Sequence, residues 1–323
     1  MQDQPEPRDV YLLTETGPHL DRVPRDVPFN ILTPDFVSRL PNVPELGNSL
    51  SPFLFLRLLL PEVVPGYRRI LYLDCDVRID GSLAPLFSLD MKGATLAAVV
   101  DATAYSRAPT IGWKTKLLEK AAAQELIGLA RGDPYFNSGV LLIDCDRWVR
   151  NRMSDAAIDC MARIASNKHR DQDVLNVLFR NAWVSLSPRW NFPSSAFGTD
   201  LEALLRPVIY HSIAKPWSFE HAHPREAAYF RAALSNTPYR DFARRPSFSE
   251  VKRCVERWGK EMVQYAMFFL PSSASRLQDR RLLRKQHELV KYVIANVRSR
   301  GFADVDQNIS AIDISALSSL LDA

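Results

Sequence analysis

Cysteine is scarce: the four in 323 residues, Cys75, Cys145, Cys160 and Cys254, have no paired spacing that reads as a zinc site or a disulfide framework. That usage fits a reducing compartment. Glycine is scarce as well, with 12 in the chain, and no Gly-rich loop follows an early apolar run. A P-loop or dinucleotide-binding turn is therefore not supported. Apolar runs such as Leu58–Leu60 and Ala266–Leu270 fall far short of the about 20 residues that a membrane-spanning helix needs. The opening residues Met1-Gln2-Asp3-Gln4-Pro5-Glu6 have neither the basic start nor the apolar segment of a signal peptide, so a cytoplasmic location is expected. Repeats and low-complexity stretches are also lacking. What remains is 46% hydrophobic, 10% aromatic and 24% charged, the composition of a soluble globular enzyme rather than a fibrous or disordered chain.

The net charge of +4 is unevenly spread. Residues 240–300 hold 15 Lys/Arg against 6 Asp/Glu, a net +9, and residues 301–323 carry four Asp and no basic residue. Residues 1–239 are left at −1. A near-neutral body with a basic C-terminal stretch points to an anionic partner for that stretch.

Short β-branched apolar runs alternate with longer helical patterns, which predicts an α/β fold with a mostly parallel sheet flanked by helices. Strands are expected over Val10–Leu13, Phe29–Leu32, Arg69–Leu73, Thr95–Val100, Gly139–Ile143, Trp183–Leu186 and Val208–Tyr210. Helices are expected over Pro52–Leu60, Trp113–Ala130, Asp146–Ala165, Gln172–Phe179 and Pro224–Leu234. From about residue 240 the pattern is purely helical. Val251, Val255, Trp258, Met262, Tyr265 and Phe269 share one face, with Lys252, Arg253, Arg257 and Lys260 on the other. A second amphipathic stretch carries Leu282, Leu289, Val293 and Val297 among Arg281, Arg284, Lys285 and Lys291. Two readings stay open for this pair: core-packing helices with solvated charges, or helices that dock on an anionic membrane surface. Nucleic acid is not expected, because no binding motif accompanies the basic residues. The chain thus divides into a domain over residues 1–239 and a basic helical region with an acidic tail over residues 240–323.

The strongest local signal is Arg69-Ile70-Leu71-Tyr72-Leu73-Asp74-Cys75-Asp76, an apolar strand running into two aspartates. Period 2 would put both carboxylates on one side of the extended chain, at the strand end where open sheets bind ligands. Such a pair suits Mg²⁺ or Mn²⁺ shared with a phosphate. The chain has four Asp-x-Asp triplets where composition alone gives about two, so the motif needs company. Asp144-Cys145-Asp146 reads as a helix N-cap, and Asp304-Val305-Asp306 as solvated tail. Three further segments supply company. Tyr135-Phe136-Asn137-Ser138-Gly139-Val140-Leu141-Leu142-Ile143 opens a buried strand with an amide and two small residues. Asp171-Gln172-Asp173-Val174-Leu175-Asn176 loads a helix start with polar side chains, and Val208-Ile209-Tyr210-His211 leads by four residues to Lys215-Pro216-Trp217.

Together with Arg57-Leu58 before Pro61-Glu62, and with Pro188-Arg189-Trp190-Asn191, these segments resemble glycosyltransferase family 8, in the family's order over about residues 8–240. The resemblance implies a GT-A-like fold and a metal-dependent, retaining transfer of galactose or glucose. The donor would be a UDP-sugar and the acceptor a glycan or glycolipid such as lipopolysaccharide, at the inner face of the cytoplasmic membrane. It implies Mn²⁺ or Mg²⁺ on Asp74, Asp76 and His211, and donor contacts from Arg57, Asp74, Asp101, Asn137 and Lys215. Asp171 and Gln172 fall at its catalytic positions. An amide is a poor nucleophile, so the reading favours front-face attack by the acceptor, with Asp171 as a covalent nucleophile the alternative. Read without the resemblance, His211 could be a core histidine, Asp101 a turn residue and Asn137 a turn cap; Asp173 and Asn176 would brace their helix, and Trp148, Trp183 and Trp190 would be core.

Two features depart from the family pattern. The His211-to-Lys215 step is four residues without a glycine, where the family has six positions between its His and Lys. Val10–Leu13 matches the family's second strand, so the first is expected to be missing and the sheet edge open. Two competing functions follow: a glycosyltransferase-like scaffold that no longer binds a donor, and a metal–phosphate enzyme such as a nucleotidyltransferase, which the missing Gly-rich loop disfavours.

Overall fold

The computed structural model describes residues 9–17, 20–21, 23, 28–40, 52–101, 127–129, 133–163, 170–212, 216–217, 223–235, 237–240 and 290. Its centre is a four-stranded sheet in the order β3-β6-β5-β7, made of β3 (Arg69–Leu73), β5 (Leu96–Val100), β6 (Phe136–Asp144) and β7 (Val184–Leu186). β6 is antiparallel to both neighbours and β5 is parallel to β7. Three of the four strands therefore run one way, with β6 reversed between two of them. β4 (Val77–Ile79), β9 (Ile209–His211) and β8 (Phe192–Pro193) form a second, smaller sheet, and β1 (Tyr11–Leu13) pairs in parallel with β2 (Asn30–Leu32).

β5 is buried along its whole length, which explains why Leu-Ala-Ala-Val-Val carries no polar alternation: both faces of the sheet are covered. Its side chains alternate between two cores as period 2 requires. Leu96, Ala98 and Val100 join Leu141, Ile143, Trp148, Met161, Val174 and Phe179 on one face. Ala97 and Val99 join Val140, Leu142, Leu86, Trp190 and Ile209 on the other. The first face is roofed by helices Cys145–Arg150, Met153–Arg163 and Arg170–Leu178. The second is roofed by the small sheet and the short helix Ala84–Phe87. All three tryptophans expected in the core are there, Trp148 and Trp190 almost fully buried and Trp183 at 9% exposure.

Local differences from the expected elements have local causes. The single helix expected over Asp146–Ala165 is broken because Arg152 takes a left-handed φ of 52°, ending one helix at Arg150 and starting the next at Met153. Asp144 caps the first of these as expected, its side chain accepting from the Arg147 N–H at 3.0 Å. Pro52–Leu58 is a 3-10 helix rather than an α-helix, and Pro61 opens a short helix (Leu60–Val63) instead of ending one. The helix expected over Trp113–Ala130 and the helical region over 240–323 fall almost wholly outside the described residues.

Candidate active site

The Asp-Cys-Asp segment connects the two sheets. The Asp74 N–H bonds the Gly139 carbonyl at 2.8 Å, continuing the β3–β6 pairing by one residue. The chain then turns at Cys75–Asp76, and the Asp76 carbonyl accepts from the Ser212 N–H at 2.9 Å beside the β4–β9 pair. The carboxylates converge through this turn, not through the extended period-2 geometry that the sequence suggests. His211, at the end of β9, closes the group: one ligand atom each from Asp74, Asp76 and His211 lies within 4.8 Å of the others. His211 Nε2 is 3.4 Å from Asp76 Oδ1 and 3.9 Å from Asp74 Oδ2.

Each carboxylate is held. Asp74 Oδ1 accepts from the Tyr72 hydroxyl at 2.7 Å and is paired with Arg57 Nη2 at 3.0 Å. Burial keeps the Tyr72 phenol well above its ordinary range, so it stays a donor to that oxygen. The other oxygen, Oδ2, is the one turned toward His211. Gly139 leaves the room this requires: a Cβ there would lie 2.4 Å from His211 Cε1 and 2.9 Å from Asp74 Oδ2. Two carboxylate oxygens and an imidazole nitrogen, converging over a residue without a side chain, fit a divalent cation of the Mg²⁺/Mn²⁺ type.

Arg57 ties this group to the helix start at Asp171. It is buried at 6% exposure and its Nε is 3.0 Å from Asp171 Oδ2. Its Nη1 donates to the Ser138 carbonyl and hydroxyl, both at 2.9 Å. Burial alone would weaken its charge, but Asp171, Tyr72 and Asp74 outweigh that and hold the guanidinium cationic. Burial pushes the Asp171 carboxyl up, against the opposing pull of Arg57. Gln172 is committed on both sides of its amide. Its Oε1 accepts from the Ser138 N–H at 3.0 Å, and its Nε2 donates to Asp101 Oδ2 at 3.0 Å. Asn137 Oδ1 accepts from the Gly139 N–H and from Asn191 Nδ2, both at 2.9 Å.

The structure thus brings Arg57, Asp74, Asp76, Asp101, Asn137, Asp171, Gln172 and His211 into one hydrogen-bonded and ion-paired neighbourhood. Lys215 lies outside the described residues. Asp173 and Asn176 brace the start of β6: Asp173 accepts from the Tyr135 hydroxyl at 2.6 Å, and Asn176 Oδ1 accepts from the Phe136 N–H at 2.8 Å. Four residues that sequence reasoning did not assign complete the neighbourhood: Tyr72, Ser138, Gly139 and Asn191. The first three sit inside segments already singled out for their neighbours. Asn191 ends the Pro188-Arg189-Trp190-Asn191 segment, but its role had no local signal, because its partners lie 54 and 20 positions away.

A family model for glycosyl transferase family 8 matches residues 27–221, more than half of the chain. This protein belongs to glycosyl transferase family 8. Among curated relatives, General stress protein A of Bacillus subtilis is 26% identical over 208 residues, covering 57% of this chain and 65% of the relative. Lipopolysaccharide 1,2-glucosyltransferase of Escherichia coli K12 is 28% identical over 196 residues, covering 57% and 54% respectively. This chain therefore matches between about half and two thirds of the length of these relatives. The crystal structure of galactosyltransferase LgtC with donor and acceptor sugar analogs superimposes with a TM-score of 0.54 at 24% identity, over 72% of this chain and 86% of that one. That likeness shows the GT-A-type glycosyltransferase fold. No described helix is long and apolar enough to cross a membrane.

Proposed function

We propose that this family 8 member is a cation-dependent, retaining hexosyltransferase that moves glucose or galactose from a UDP-sugar to a cell-surface glycan such as lipopolysaccharide. The observation that carries the reading is the meeting of Asp74, Asp76 and His211 within 4.8 Å, joined through one buried arginine to Asp171. The names of the lipopolysaccharide-glucosylating relatives support the substrate class.

Asp74, Asp76 and His211 would hold Mn²⁺ or Mg²⁺, which when bound supplies positive charge against the departing diphosphate. Lys215 would add a second positive charge there. Asn137 and Asp101 would fix sugar hydroxyls: Asn137 Oδ1 is committed to Gly139 and Asn191, so its Nδ2 is the group offered to the donor. Gln172 is a positioning residue in this reading, since both ends of its amide are engaged with Ser138 and Asp101. Front-face attack follows: the acceptor hydroxyl oxygen bonds to the anomeric carbon as the carbon–oxygen bond to the diphosphate breaks. The hydroxyl proton passes to the departing phosphate oxygen. Asp171, held against Arg57, would stabilise the positive charge that builds on the sugar ring. The net +9 over residues 240–300 would keep the enzyme at an anionic inner leaflet near its acceptor.

The test is thermal unfolding of the whole chain with UDP, with and without Mn²⁺. A ligand at a hundredfold excess over its dissociation constant adds about 2.7 kcal/mol to stability. A Mn²⁺-dependent rise in the wild type, lost in Asp76→Asn, is the expected result and would be followed by a donor-sugar screen. A folded wild type with no rise would leave the scaffold reading.

A further inference from the structure

The polar contacts behind Asp74, Asp76 and His211 decide which nitrogen of His211 carries the proton. These contacts begin at a group whose polarity is fixed. The Gly139 backbone N–H is a donor, so the Asn137 side-chain atom 2.9 Å from it is the carbonyl Oδ1. That oxygen also meets the side-chain amide of Asn191 at 2.9 Å, and an oxygen already fixed as acceptor requires the nitrogen, Nδ2, of Asn191. Asn191 Oδ1 is thereby turned toward His211 Nδ1, at 2.9 Å, and an oxygen acceptor requires Nδ1 to carry a hydrogen. In the neutral imidazole the lone pair then sits on Nε2, the nitrogen that faces Asp76 and Asp74 at 3.4 and 3.9 Å. Asn191 is 5% and His211 6% exposed, so water competes little for either contact.

We infer that Asn191 is a positioning residue for the cation site: it reads the fixed polarity of the Gly139 peptide through Asn137 and imposes the Nδ1–H tautomer on His211. This deepens the cation-dependent reading and rests on it for the identity of what Nε2 binds; the tautomer itself does not. A histidine ligand held by a carbonyl or carboxylate behind it is the usual arrangement in metal sites, and removing such a partner weakens metal affinity by about 10–100-fold. The same relay passes through Asn137, so one set of contacts orients both a candidate sugar contact and a candidate cation ligand.

Three forms of the full chain, wild type, Asn191→Asp and Asn191→Leu, separate this role from mere packing. An Asp carboxylate still accepts from Nδ1–H although it no longer donates to Asn137; Leu does neither. Two readouts are taken: the ring-nitrogen resonances of ¹⁵N-histidine-labelled protein without metal, and Mn²⁺ affinity by electron paramagnetic resonance. The expected result is a slowly exchanging Nδ1–H in the wild type and in Asn191→Asp. Asn191→Leu should lose it and bind Mn²⁺ about 10–100-fold more weakly, while Asn191→Asp stays within a few-fold of the wild type or binds more tightly. The inference is overturned if the wild type carries its proton on Nε2 alone. It is also overturned if folded Asn191→Leu keeps wild-type affinity, or if Asn191→Asp is impaired as far as Asn191→Leu. Should Asn191→Leu fail to fold, the wild-type and Asn191→Asp spectra still decide. A wild type that shows Nδ1–H yet binds no Mn²⁺ refutes the cation reading and leaves the relay standing.

Discussion

Replacing Gly139 by alanine tests the cation site with one methyl group. Gly139 is buried inside β6 and is not among the glycines with positive φ, so alanine is conformationally allowed. Backbone entropy alone would make the variant more stable by about 0.4–1 kcal/mol. Space dictates the opposite sign. The new Cβ would stand 2.4 Å from His211 Cε1, and 2.9 Å from both His211 Nδ1 and Asp74 Oδ2. Carbon–carbon contacts settle at about 3.5–4.0 Å, so the imidazole must retreat by about 1 Å or more. It has little freedom to do so, because β9 is clamped between β4 and β8 and the ring is held by Asn191. Overpacking of a tight interior costs about 1–3 kcal/mol, which exceeds the entropic gain. At about 2–4 °C per kcal/mol for a domain of this size, Tm should fall by several degrees. A ligand displaced by about 1 Å can lower activity about 100-fold, and Mn²⁺ affinity should drop by at least about tenfold, or ~1.4 kcal/mol. Gly66→Ala is the control: its φ is 92° and nothing lies within 4 Å of a Cβ there, so it strains the backbone without touching the cation group. Calorimetry with and without Mn²⁺ reads both. A Gly139→Ala protein with wild-type Tm and Mn²⁺ affinity would refute the steric argument.

Other perturbations have equally definite outcomes. Arg57→Met leaves the half-buried Asp74 and Asp171 without their shared cation, and urea denaturation should register a loss of up to about 3–5 kcal/mol; a loss under about 1 kcal/mol would mean that solvent takes the arginine's place. For Asp171, burial raises the folded-state pKa above the unfolded one, so the native state holds the proton more tightly and this group's contribution to stability falls as pH rises between the two values. Asp171→Asn should lack that decline, so the difference in stability between wild type and variant should change in the acid range and level off above the folded pKa. Thiol labelling should also discriminate. Burial, reinforced by Asp144 and Asp146, pushes the Cys145 thiol up to about 12, and burial also raises Cys160, so both should stay unlabelled in the folded protein. Exposed Cys75 should react, and Mn²⁺ should slow it, because it sits between two of the three candidate ligands.

The central sheet was legible because burial on both faces removes polar residues from β5 and most of β6, leaving runs that only a strand of that length explains. The candidate residues were legible because Asp74, Asp76, Asn137, Asp171 and Gln172 cluster in short segments next to those runs. What could not be read is set by contacts without a local pattern. β4 has three residues and β8 has two, one of them Pro193, and β8 exists only because β9 lies alongside. The break at Arg152 falls in a stretch that reads as helix on both sides, and only the backbone reveals its left-handed turn. The Asp74 and Asp76 carboxylates do converge, but a turn, not the strand period expected from the sequence, brings them together.

That turn has a mechanical consequence. Asp74 ends the central sheet's β3, whereas Asp76 and His211 belong to the small sheet through the Ser212–Asp76 and β4–β9 hydrogen bonds. A cation held by all three would therefore add a tie between two sheets that one tight turn and packing already link. The Asn137–Asn191 bond crosses the same seam, since Asn137 opens β6 and Asn191 precedes β8. The relay inferred to orient His211 and the residues that would hold the cation would thus be two fastenings of one joint. Loss of the cation should loosen the small sheet before the central one, and amide exchange should show it at Val77–Ile79 and Ile209–His211 while Leu96–Val100 stays protected. Equal protection of both sheets with and without Mn²⁺ would mean that packing of Ile209 and Trp190 onto the central sheet already fixes the joint, leaving the cation a purely chemical part.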